Sequence, residues 1–158
     1  MEEILRMQEN LLRIRRTVGW KAEEFGDRIG VTRQTINNIE CGRNKLTKTQ
    51  YIAMRSVLDA EMQKSPEDTA MLRLLLDVLV DHPDRYSKED REEILEKANL
   101  MAPAILAGTA TRKTVSKEWL KAFETITELA GSMLIGALAG EIVSSWLIKA
   151  IESKSKKK

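Results

Sequence analysis

Arg33, Gln34, Asn37 and Asn38 place one guanidinium and three amides within six residues. The spacing i, i+1, i+4, i+5 sets all four on one side of a helix, with Ile36 and Ile39 on the other. A guanidinium forks onto the paired acceptors of guanine, and a carboxamide onto the donor–acceptor edge of adenine. The set is therefore equipped to read base edges in a major groove. The N-terminal end of such a helix reaches the bases first, which favours Arg33 and Gln34. Asn37 lies one turn on, and Asn38 can meet a base or the backbone. Thr32 before them, and Arg43, Asn44 and Lys45 after them, supply the hydroxyl, amide and positive charge that phosphate contact needs.

Other chemistries find little material. A single cysteine, Cys41, excludes an intramolecular disulfide and a cysteine-cluster metal site, and suits a reducing cytoplasm. A single histidine, His82, excludes a multi-histidine zinc site. There is no glycine-rich phosphate loop, nucleophile motif or metal-ligand spacing, so neither an enzyme nor a cofactor is expected. Cys41 reads as a helix-end filler and His82, before Pro83, as a helix-end residue. The run Glu89-Asp90-Arg91-Glu92-Glu93 reads as a solvated helix face, and the methionines as core fillers.

The elements that must hold these groups are helices. Apolar residues recur at a 3.6 period and nowhere convincingly at 2, which predicts an all-α chain. Ile4, Leu5, Leu11, Leu12 and Ile14 begin a first helix that Val18-Gly19-Trp20 interrupts. Ala22, Phe25 and Ile29 mark a short second helix ended by Gly30; Thr32 caps a third, and Gly42 follows it. Thr47 caps a fourth, which carries Ile52, Ala53, Val57 and Leu58. Ser65-Pro66-Glu67-Asp68 predicts another helix start, and His82-Pro83-Asp84 its stop. Ser87-Lys88-Glu89-Asp90 opens a further helix running towards Pro103, and residues 107–114 read as a loop.

The net charge of +2 over 158 residues conceals a division along the chain. Residues 10–55 carry ten basic and four acidic side chains, a net +6, whereas residues 61–100 carry a net −5. Such asymmetry points to separate tasks. Residues 1–16 are charged throughout, without the apolar stretch of a targeting sequence.

Two short helices joined by Gly30-Val31-Thr32 follow the helix-turn-helix plan. Here the sequence resembles the Cro/CI-type (XRE-family) helix-turn-helix regulators of bacteria and phages. The residues that carry the likeness are Trp20-Lys21-Ala22-Glu23-Glu24-Phe25-Gly26, then residues 29–40 and Gly42-Arg43, with Arg15 upstream. The resemblance covers about a third of the chain. It implies that Gly26 sits where two helices cross closely, that Val31 plugs the turn, and that residues 43–45 lie along the DNA backbone. It further implies a partly buried ion pair between Arg15 and Glu40. Lys21 stands where the family usually has a capping Ser or Thr, and a cation there suits a nearby phosphate. Ala22 stands where the family often has a DNA-contacting Gln.

The C-terminal region differs in texture. Residues 129–140 and 142–148 are uncharged, interrupted only by Glu141. Ser132, Gly136, Gly140 and Ser144 recur every four residues and form a small-residue packing stripe on one helix face. Three readings compete: self-association, membrane contact through residues 129–151, and intramolecular core. A single span would place the terminal lysines outside, against the positive-inside rule, and would bury Glu141.

The expected organisation is a helix-turn-helix DNA-binding domain over residues 1–62 and an acidic helical segment over 63–107. An apolar, glycine-striped C-terminal helix over 115–152 and a disordered lysine-rich tail over 153–158 complete it. The expected function is a cytoplasmic, sequence-specific regulator of transcription, a repressor. It would bind double-stranded operator DNA as a homodimer or higher homo-oligomer. The alternative from another class is an adaptor that keeps the fold for contact with a partner protein or the membrane through the C-terminal helix.

Overall fold

The computed structural model describes residues 2–108, 111, 114 and 115. The C-terminal helix expected over 115–152, its stripe at Ser132, Gly136, Gly140 and Ser144, and the tail lie outside these residues but for Val115. The described residues form six α-helices: α1 (Glu2–Val18), α2 (Ala22–Ile29), α3 (Arg33–Glu40), α4 (Lys48–Lys64), α5 (Ala70–Leu76) and α6 (Lys88–Leu106). A π-helical turn, Asp77–Asp81, extends α5, and a 3-10 turn, Pro83–Arg85, follows it. There is no strand among the described residues.

Local chemistry sets most of the helix ends. Gly30 ends α2 in the left-handed region at φ 78°, where its N–H group returns to the Gly26 carbonyl. The Thr32 hydroxyl accepts from the Thr35 N–H at 3.1 Å and starts α3. Thr47 and Gln50 form a reciprocal capping box at α4, and the Ser87 hydroxyl accepts from the Asp90 N–H to start α6.

The sequence misleads at Ser65. The Ser65 N–H donates to the Glu61 carbonyl and so completes α4, while the Thr69 hydroxyl donates to the Ser65 carbonyl at 2.8 Å. Residues 66–69 make a turn, and α5 starts only at Ala70. Arg73 then reaches back, its Nη2 donating to the Met62 carbonyl at 2.6 Å near the end of α4.

The helices close on two connected apolar clusters. Met7, Leu11, Ile14 and Val18 give α1 a buried face against Phe25, Ile36, Ile39, Tyr51, Met54 and Leu58. Leu72, Leu76 and Val80 join this cluster, while Met71, Leu74, Leu75 and Val78 face Ile94, Ala98 and Ala102 of α6. An element apolar on opposite sides is one that lies between others. Accordingly, α5 and its π-helical extension contribute to both clusters, while α6 also packs directly along α1. Arg13 of α1 also donates to Asn99 of α6 at 3.1 Å.

The π-helical turn is clasped by side chains from three directions. Arg6 Nε donates to the Val80 carbonyl at 2.9 Å, and Arg55 donates to both carboxylate oxygens of Asp81 at 2.7 and 2.9 Å. The Tyr86 hydroxyl donates to Asp77 Oδ2 at 2.5 Å. Burial pushes the Asp77 carboxyl above its ordinary value, although the Tyr86 hydrogen bond pulls it the other way.

Candidate nucleic-acid interface

Helix α3 divides cleanly between framework and surface. Ile36 and Ile39 are fully buried, whereas Arg33 and Gln34 are exposed and Asn37 and Asn38 are partly exposed. Gln34 Nε2 donates to Asn38 Oδ1 at 3.0 Å, so two of the four candidate base readers stand as a linked amide pair. At the N-terminus of the helix, the Thr32 and Thr35 hydroxyls lie 2.9 Å apart.

Three features fix the angle of α3. The first is contact with α2 at Gly26. A Cβ built there would come within 2.6 Å of the Val31 carbonyl oxygen, so a side chain cannot fit unless the turn moves. Val31 returns the contact, its N–H donating to the Gly26 carbonyl at 2.9 Å. The second is the fork between Arg15 and Glu40. Arg15 Nε lies 2.5 Å from Oε1 and Nη2 lies 3.2 Å from Oε2, while Nη1 donates to the Trp20 carbonyl at 3.0 Å. Both side chains of the pair are 9% exposed, so this fork is largely shielded from water.

The third feature is Gln8, a residue that pattern reasoning missed. Its Nε2 donates to the carbonyls of Ile39 at 2.9 Å and Asn44 at 2.7 Å, and its Oε1 accepts from the Leu46 N–H at 3.0 Å. Gln8 and Arg15 are seven residues apart, on one face of α1. Only the polar character of Gln8 beside the buried Met7 and Leu11 hints at this in the sequence.

The remaining candidates occupy the loops. Arg43, Asn44 and Lys45 are exposed in the segment between α3 and α4, which begins with Gly42 at φ 79° and is anchored by the buried Leu46. The Asn44 N–H donates to the Asn38 carbonyl at 3.1 Å, tying this loop to α3. Lys21 is exposed at the start of α2, where its side chain caps nothing. Cys41 closes α3, its N–H donating to the Asn37 carbonyl at 3.0 Å. Trp20 packs at 5.8 Å from Phe25, and the Arg28 guanidinium lies 4.0 Å from the centre of the indole.

Two short helices, a glycine-ended turn and an outward polar face on the second helix make a specific pattern. Residues 11–64 match the helix-turn-helix family model of the XRE type. This helix-turn-helix segment is the N-terminal part of the chain and ends with α4, and the match supports DNA binding and transcription regulation. No curated protein and no solved structure matches the chain. No helix among the described residues is long and apolar enough to cross a membrane, and no group of His, Cys, Asp and Glu among them could hold a metal ion.

Proposed function

We propose that this chain is a sequence-specific transcriptional regulator, a repressor, that inserts α3 into the major groove of operator DNA. One arrangement carries the reading. Arg33, Gln34, Asn37 and Asn38 stand outward on a helix whose inward residues, Ile36 and Ile39, are locked in the core. Arg33 and the linked amides of Gln34 and Asn38 offer donors and acceptors complementary to those of guanine and adenine edges. Thr32, Arg43, Asn44, Lys45 and Lys21 supply the phosphate contacts that set the register.

The protein acts as a homodimer on two half-sites about one helical turn apart. Self-association is supported by the small-residue stripe read in the sequence at Ser132, Gly136, Gly140 and Ser144. The site of action is the cytoplasm, where the operator lies.

The test is selection of bound duplexes from a random pool by the full chain, followed by Arg33→Ala and Gln34→Ala. Each substitution should lower affinity for the selected duplex by about 1–3 kcal/mol relative to an unselected pool. An unchanged ratio would remove base reading from α3. Failure to enrich any duplex would favour the adaptor reading, in which the fold serves protein contact.

A further inference from the structure

We infer that Gln8 is a positioning residue for DNA binding, holding the loop of Arg43, Asn44 and Lys45 in its DNA-contacting shape. This inference rests on the DNA-binding reading above, to which it adds a residue outside the surface that would touch DNA.

A helix leaves its last carbonyls without intrahelical partners. In α3, the Asn37 carbonyl accepts from the Cys41 N–H and the Asn38 carbonyl from the Asn44 N–H. The Ile39 carbonyl accepts from the Gly42 N–H at 3.2 Å and from Gln8 Nε2. Gln8 therefore completes the end of the reading helix. The same amide grips the loop at two further points, the Asn44 carbonyl and the Leu46 N–H. Both amide hydrogens and the oxygen are engaged, and no other residue type of this length offers two donors and an acceptor in one plane.

Arg43 and Lys45 flank Asn44, the point that Gln8 holds from below. Their own side chains are exposed, so α1 pins the backbone while the cations remain free to meet phosphate. An exposed loop containing Gly42 would otherwise have to be ordered on binding, at an entropic cost set by the number of residues fixed. With Gln8 in place, much of that ordering precedes contact with DNA.

The experiment compares the full-length wild type with Gln8→Ala, alone and combined with Arg43→Ala. Affinities are measured for a duplex selected from a random pool and for the unselected pool, per folded molecule, across a salt series. Gln8→Ala should weaken both by about tenfold and flatten the salt slope, although it removes no charge. Arg43→Ala should matter less in the Gln8→Ala background than in the wild type. Amide exchange on the free protein should show lost protection at Leu46 and Asn44, with Ile36 and Leu58 still protected. Additive losses, or an unchanged salt slope, would overturn the inference while leaving the DNA reading intact. Retained protection at Leu46 would also overturn it. A wild type that enriches no duplex would instead overturn the DNA reading, and this role for Gln8 with it.

Discussion

Arg55 of α4 grips Asp81 with both terminal nitrogens, at 2.7 and 2.9 Å, and so joins the helix-turn-helix segment to the π-helical turn outside it. Arg55 is 3% exposed and Asp81 22%. Burial alone would lower the arginine pKa, but the Asp81 charge and hydrogen bond outweigh it and raise it. Two charges brought out of water in this way hold each other's position more firmly than they add net stability.

Asp81→Ala should therefore destabilise the protein by about 3–5 kcal/mol, because it takes two charge-assisted hydrogen bonds from a buried guanidinium. The double substitution Arg55→Met with Asp81→Leu should recover much of the loss. Urea unfolding of both variants checks this, and a double variant no more stable than Asp81→Ala would contradict it.

Gly26 and Gly30 are four residues apart, yet they should fail for different reasons. Gly26→Ala drives a methyl group against the Val31 carbonyl and should cost about 1–3 kcal/mol, as overpacking does. Gly30 has open space around its missing side chain but sits at φ 78°. Gly30→Ala should cost only about 1 kcal/mol, from backbone strain. Thermal melts rank the two, and a reversed order would argue against the close approach of α2 to the turn.

The raised carboxyl of Asp77 has a pH signature. The folded state holds this proton more tightly than the unfolded chain, whose ordinary value is 3.8. The associated stability is complete below 3.8 and is lost as pH rises from there through the folded value. Asp77→Asn keeps an oxygen acceptor for Tyr86 and carries no charge. Its stability relative to wild type should thus be greatest at neutral pH and should decline on acidification. A stability gap independent of pH would contradict the assignment.

Arg43→Ala and Lys45→Ala should weaken binding to selected and unselected duplexes alike. Each should reduce the slope of log affinity against log salt by about one. An unchanged slope would remove that residue from the phosphate contacts.

What the sequence makes legible is local. The 3.6 period, Gly30 and the hydroxyls of Thr32, Thr47 and Ser87 act within a few residues of themselves, and the helices begin and end accordingly. Ser65 misleads because it is claimed by the helix before it rather than the one after. The Arg15–Glu40 fork is visible only through the family resemblance. Gln8 reaches across 31 to 38 residues and Arg6 across 74, and no pattern within a helical turn encodes such distances. The π-helical turn is equally hidden, since Asp77–Asp81 has the composition of an ordinary amphipathic end and its partners Arg6, Arg55 and Tyr86 lie mostly far off in sequence.

Helix α1 sends Arg6 to the π-helical turn, Gln8 to the loop after α3, Arg13 to α6 and Arg15 to Glu40. It behaves as a keystone: its departure would undo four separate joints together. The described part of the chain should therefore lose its structure in one cooperative step. Helix α1 should be among the last backbone segments to exchange with solvent.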